Sequence, residues 1–317
     1  MTKVFITFFI VFCSLFSLQN IGHALIGGYE DFKYSGVLRI DFKDNLACTA
    51  TLVGLNPPTM VTAAHCLVGS GALTGDPISI EGIVPLKMFY PNELITSPEQ
   101  QAEIDNSLDI AVLTFPDVLK EKLSLTEKDL FTVAPVSVRT LDEIETCGFG
   151  RTSMFWARGN KPGYRKCGTM TLYNEELRPN DFDPSLNDLI HEMIETRVVN
   201  LGENNHIWTY LSSVFRNKNS AIAISSNGNA MGNGGDSGGP WFLNRDGNKH
   251  LIAVSSYCFW THTQDSPKGL EKIIAHGGYK LTNLSSIQVI QKAILEGADV
   301  LGAQALLPLK LQKGDPK

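Results

Sequence analysis

The chain has 317 residues, 43% of them hydrophobic and 19% charged, which is room for one large buried core or two modest ones. Its formal charge of −6 at pH 7 excludes the basic stripe of a nucleic-acid binder. The same balance of residue types excludes a wholly disordered or fibrous chain.

Residues 1–24 read as an export signal peptide: Lys3, an apolar run from Val4 to Phe16, then Gly22-His23-Ala24 with small residues where a signal peptidase reads. The run is short for a bilayer span, the alternative being a membrane anchor. The expected mature chain starts at Leu25 and is secreted or periplasmic, with no membrane attachment after cleavage. Cys13 lies inside the leader. Five cysteines remain, Cys48, Cys66, Cys147, Cys167 and Cys258. An oxidising compartment favours pairing, and an odd number leaves at least one thiol over.

Short strands separated by turns dominate the rest of the chain. Val37 to Phe42 alternates apolar and charged residues, the mark of a half-buried strand. Thr49 to Leu55, Pro77 to Pro85, Asp109 to Phe115 and Thr169 to Tyr173 read as further strands. Asp183 to Ile194 has helical spacing after an Asp-Pro start. Trp241 to Leu243 and Leu251 to Val254 flank Asp246-Gly247, a hairpin signal. Ser286 to Leu301 reads as a C-terminal helix with Ile287, Ile290, Ile294 and Leu301 on one face. So many short strands imply barrels or sandwiches.

The stretch Gly232-Asn233-Gly234-Gly235-Asp236-Ser237-Gly238-Gly239-Pro240-Trp241 holds five glycines and one serine. Glycine serves where backbone turns tightly or approaches another group closely. A phosphate loop would end in lysine followed by serine or threonine, and Pro240-Trp241 stands there instead. The segment His191 to Glu195 lacks the second histidine of a zinc-binding helix. An activated serine remains. A serine hydroxyl needs a base to take its proton, commonly a histidine oriented by a buried aspartate. The chain offers Thr62-Ala63-Ala64-His65-Cys66, then Asp109-Ile110-Ala111-Val112-Leu113, then Gly235 to Pro240.

These three motifs, in this order, resemble the chymotrypsin/trypsin family of serine proteases, and the likeness runs from about Leu25 to Leu301. The resemblance implies an all-β fold of two packed six-stranded antiparallel β-barrels with a C-terminal helix. It places an N-terminal barrel at 25–135 with His65 and Asp109. A C-terminal barrel with Ser237 would occupy 136–285, interrupted by an insertion around 174–220. A helix and tail would complete the chain at 286–317. It further implies an endopeptidase acting on polypeptide through Ser237, His65 and Asp109, with the N–H groups of Gly235 and Ser237 as the oxyanion hole. No metal or cofactor is required. An esterase-like use of the same groups is a related possibility, and a non-catalytic binding protein on the same scaffold is the alternative from another class.

The same likeness carries finer expectations. Leu25-Ile26-Gly27-Gly28 resembles the mature start of the family, whose amino group pairs with the aspartate before the serine, here Asp236. Signal cleavage would then itself release the activating terminus. Cys48–Cys66 is the expected disulfide, and Cys147–Cys167 a further possible one. Met231 falls at the pocket floor, where a trypsin-like enzyme carries aspartate, so strong preference for Lys or Arg is not expected. Ser256 is expected beside Asp109, Tyr257 at the pocket wall, and Cys258 near its entrance.

Overall fold

The computed structural model describes residues 28–30, 33–43, 47–91, 109–133, 135–139, 142–150, 164–173, 220–224, 235–262 and 271–306. Among them the strands are, in chain order, β1 (Tyr29–Glu30), β2 (Val37–Phe42), β3 (Ala47–Leu55), β4 (Pro58–Thr62), β5 (Ile78–Ser79), β6 (Lys87–Phe89) and β7 (Ala111–Thr114). They continue with β8 (Glu143–Gly148), β9 (Lys166–Tyr173), β10 (Ser220–Ile224), β11 (Pro240–Arg245), β12 (Asn248–His262) and β13 (Glu271–Lys280). The helices are α1 (Ala64–Gly69), α2 (Asp117–Leu123) and α3 (Leu284–Leu295).

The strands form two antiparallel sheets. The first has the order β5-β2-β3-β4-β7-β6. The second has the order β1-β9-β10-β13-β12-β11-β8, and β8 also pairs with β9. That extra pairing closes a ring of six strands, to which β1 is added along the edge of β9 at Tyr29↔Cys167. This is the chymotrypsin-like two-barrel architecture that the resemblance implied.

The apolar runs explain the arrangement. Alternate residues of a strand point to opposite faces, so a strand apolar on both faces must be covered twice. On β7, Ala111 and Leu113 belong to the core of the first sheet, whereas Val112 packs into a second cluster lying between the sheets. On β11, Trp241 and Leu243 fill the second barrel while Phe242 faces that same seam. There Phe242 meets both Tyr34 and Phe131 edge to face, with ring centroids 5.0 Å apart in each pair. Val289, Ile290 and Ala293 of α3 join the seam as well.

Some local expectations need correction. The run from Pro77 to Pro85 is not one strand. It is interrupted by a tight turn in which Glu81 and Gly82 both take positive φ, and Ile80 and Ile83 bond to each other across it. The C-terminal helix begins earlier than Ser286, because the Asn283 side chain accepts the Ser286 N–H as its N-cap at 2.7 Å. It stops at Leu295, before Gly297 at φ +97°. Its buried stripe is therefore Ser286, Val289, Ile290 and Ala293, and Leu301 lies beyond the helix, exposed. The hairpin around Asp246-Gly247 forms as read, with both residues at positive φ. The helix proposed at Asp183 to Ile194 lies outside the described residues.

Trp241 is wholly buried, its indole N–H donating to the Ser255 hydroxyl at 2.9 Å. Gly278 on β13 faces that ring: a Cβ there would stand 2.8 Å from Trp241 Cε3. The ring is pinned and has nowhere to go, so Gly278→Ala is expected to cost about 1–3 kcal/mol, read as a lower midpoint in urea unfolding.

Candidate active site

His65 and Asp109 are far apart in sequence and are brought together by strand pairing. β4 and β7 run antiparallel with Thr62 opposite Ala111. The chain leaving β4 and the chain entering β7 therefore meet at one end of the sheet. The first residues beyond those ends carry His65, in the opening turn of α1, and Asp109. The N-cap position of α1, Ala63, has no side chain able to cap the helix. Asp109 supplies the missing acceptor: its Oδ1 takes the His65 backbone N–H at 2.8 Å. Its Oδ2 lies 2.7 Å from His65 Nδ1.

Asp109 has a third partner from the other sheet. Register between β12 and β13 shifts after Ser255↔Gly278, so Ser256 is the extra residue of a β-bulge. Bulges re-aim side chains, and this one turns the Ser256 hydroxyl onto Asp109 Oδ2, to which it donates. The structure thus places Ser256 against Asp109. The next residue, Tyr257, lies on β12 opposite Gly277.

Asp109 is 3% exposed, while the His65 side chain keeps about a third of its surface open at 35%. Burial alone would raise the pKa of the Asp109 carboxyl. The His65 charge and the three hydrogen bonds outweigh burial and hold it below its ordinary value of 3.8. For His65, burial pulls down, but the Asp109 charge and the hydrogen bond to Nδ1 carry the imidazole above its ordinary 6.5.

Ser237 sits in the loop between β10 and β11, half-buried. Both sheets anchor this loop. From the first sheet, Thr49 N donates to Ser237 O at 2.8 Å, and the Cys66 sulfur lies 3.7 Å from the same oxygen. From the second, Gly238 N donates to Ser255 O at 2.7 Å and Ser255 N to Gly239 O at 2.8 Å. The approach is close enough to require glycine at Gly238: it has φ +82°, and a Cβ would fall 2.1 Å from Thr62 Oγ1 and 2.8 Å from Ala63 N. The serine segment therefore lies directly on the segment that leads to His65.

Gly235 has φ +105°, and a Cβ on it would meet Gly150 Cα at 2.9 Å. What a side chain there would strike is the neighbouring turn at 148–150. That turn encloses the buried Asp236, whose Oδ1 accepts the Gly150 N–H at 2.7 Å. Methyl groups at Gly148 or Gly150 would fall within 2.4 Å of its carboxylate oxygens. Leu25, the expected partner of Asp236, and Met231, the expected pocket floor, lie outside the described residues.

Both disulfides considered from the sequence are formed, Cys48–Cys66 and Cys147–Cys167. Cys48, Cys66 and His65 have their donor atoms within 4.8 Å of one another, but the cysteine sulfurs are bonded together and are not metal ligands in this state. No helix among the described residues is long and apolar enough to cross a membrane.

The fold is that of the chymotrypsin-like two-barrel scaffold. Two solved structures on that scaffold are similar to this chain. One is an inactivated protease paralogue of the scabies mite, S-D1, with a TM-score of 0.52 and 13% identity over 86% of this chain and 98% of that one. The other is human heparin binding protein, with a TM-score of 0.50 and 12% identity over 87% and 98% respectively. At such identities the likeness is one of fold. No protein-family model matches the sequence, and no curated protein matches it.

The linked titration has a definite sign. The contribution of His65 to stability is complete below pH 6.5 and is lost as pH rises through its raised folded pKa. That of Asp109 is present above pH 3.8 and is lost as pH falls through its lowered value. Proton NMR titration is expected to give His65 a pKa above 6.5, and Asp109→Asn is expected to bring it down. An unchanged His65 pKa in that variant would contradict the pairing.

Proposed function

We propose that this chain is an exported serine endopeptidase that cleaves polypeptides through an acyl-enzyme. One observation carries the reading: a buried carboxylate holds His65 by Nδ1 and backbone N–H, while the segment bearing Ser237 is hydrogen-bonded to β3 and lies against the start of α1. In the proposed reaction Ser237 Oγ attacks the scissile carbonyl carbon as its proton passes to His65. The carbonyl oxygen becomes an oxyanion facing the N–H groups of Gly235 and Ser237. Donors of this kind typically contribute about 3–4 kcal/mol each. The C–N bond then breaks, the leaving amine taking the proton from His65. A water molecule repeats the sequence and releases the acid. Asp109 remains ionised throughout and stabilises the imidazolium, in agreement with its lowered pKa.

Two disulfides fit an oxidising compartment and support export. With Met231 rather than an acid at the pocket floor, apolar or small side chains are the proposed preference at the cleaved residue. In the proposed mature enzyme the amino group of Leu25 pairs with Asp236 and sets the oxyanion loop.

A second reading has support in the neighbours, one named as an inactivated protease and the other as a binding protein. Fold alone does not decide between catalysis and binding. In favour of catalysis, the sequence carries the serine, the histidine and the aspartate of all three motifs.

A serine-directed fluorophosphonate is expected to label the purified mature protein and to leave Ser237→Ala unlabelled, with kcat on a peptide library lowered by about a million-fold in that variant. Because His65 must be neutral to act as base, kcat/KM is expected to rise with pH through a pKa above 6.5. No labelling of the native chain would favour the binding reading instead.

A further inference from the structure

The hydroxyl of Thr49 occupies a place that the sequence did not single out. Thr49 stands on β3 directly after Cys48 and is wholly buried. Its Oγ1 donates to Gly235 O at 2.9 Å and accepts the Phe149 N–H at 3.1 Å. Its backbone N–H donates to Ser237 O, and its backbone oxygen accepts the Thr62 hydroxyl at 2.7 Å. One residue of the first sheet therefore contacts both loops of the second sheet that shape the site, and also the strand that leads to His65.

This hydroxyl is used both as donor and as acceptor. It has one proton to give and gives it to Gly235, and it accepts from Phe149. Phe149 and Gly150 are consecutive, and their two N–H groups are divided between Thr49 and the Asp236 carboxylate. The turn is thus held on one side by a neutral hydroxyl from the first sheet and on the other by a charge on the serine loop. Gly235, at φ +105°, is thus held through its carbonyl, and the proposed oxyanion donor is the N–H of the same residue.

We propose that the Thr49 hydroxyl is a positioning group for acyl transfer, fixing the oxyanion loop against the 148–150 turn across the seam between the sheets. The role rests on the serine endopeptidase reading. Thr49 touches no reacting atom; it acts through Gly235 and Phe149. Removing the hydroxyl takes from the part-buried Gly235 carbonyl and Phe149 N–H the partner they share, and the loop is free to shift toward others.

Thr49→Val keeps the shape and removes the hydroxyl, whereas Thr49→Ser keeps the hydroxyl. Thr49→Val is expected to react with a fluorophosphonate at least ten-fold more slowly than the native protein. Its kcat on peptides is expected to fall by a similar factor while KM stays within about two-fold, and Thr49→Ser is expected to recover most of the rate. Thr49→Ala serves the same purpose should the valine variant fail to fold. Equal rates in the native protein and Thr49→Val, or serine no better than valine, would overturn the proposal. Amide exchange at Phe149 separates this outcome from failure of the protease reading. Faster exchange in Thr49→Val but not in Thr49→Ser supports the clamp even in a chain that the probe does not label, and unchanged exchange overturns it.

Discussion

Asp109 carries a charge that has almost no contact with water, and the site is arranged around satisfying it. An unpaired buried carboxylate would be neutralised by protonation or would unfold its surroundings. Here it has three donors, and they come from both halves of the molecule: the backbone and ring of His65 from the first sheet, and the Ser256 hydroxyl from the second. Satisfying the charge therefore requires the two sheets to be in register. The same requirement orients the imidazole, since His65 is held by backbone and ring together and its Nδ1 is committed to the carboxylate.

The backbone of the serine loop meets both sheets with little room to spare. At Gly238 and Gly239 a methyl group would collide with main-chain atoms of Thr49 and Cys147, and main-chain atoms cannot step aside as a flexible side chain can. At Gly148 and Gly150 it would collide with the Asp236 carboxylate. These glycines leave space for close contact between hydrogen-bonding groups from different strands. Beside its packed side chains, the seam has at the serine loop a network of hydrogen bonds with Thr49 at its centre. Such networks are strong only when every member is paired, and a single buried hydroxyl can thereby govern two loops.

The parts legible in the sequence were those set by short-range chemistry. Strand alternation at Val37 to Phe42 and the Asp246-Gly247 turn depend on neighbours a few residues away, and both were readable. His65, Asp109 and Ser237 were singled out because each lies in a motif that resembles a known family. The tight turn at Glu81-Gly82 was not, because Ile78, Ile80 and Ile83 present the same apolar types that a continuous strand would. The start of α3 depended on Asn283, a cap outside the periodic pattern. Thr49 gave no signal at all: a threonine in a strand is ordinary, and its role exists only where three distant segments meet. The bulge that aims Ser256 is a matter of register between β12 and β13, which alternation within one strand does not reveal.

The disulfides extend the same logic. Cys48 precedes Thr49, Cys66 follows His65, and Cys147 precedes Gly148, so each of these cysteines is covalently next to a backbone that builds the site. A bridge closing a loop of the length between Cys48 and Cys66 typically stabilises by about 3 kcal/mol, chiefly by restricting the unfolded chain. Placed here, each bridge also limits local opening where the buried charge and the glycine contacts tolerate the least movement. Cys48–Cys66 ties β3 to α1, and with them Thr49 to His65. Cys147–Cys167 ties β8 to β9 at the edge of the turn that encloses Asp236. Cys147 and Cys167 lie in the seam cluster itself, and the Cys66 sulfur stands 3.7 Å from the Ser237 backbone oxygen, so both covalent restraints reach the contact between the sheets on which the geometry of the site depends.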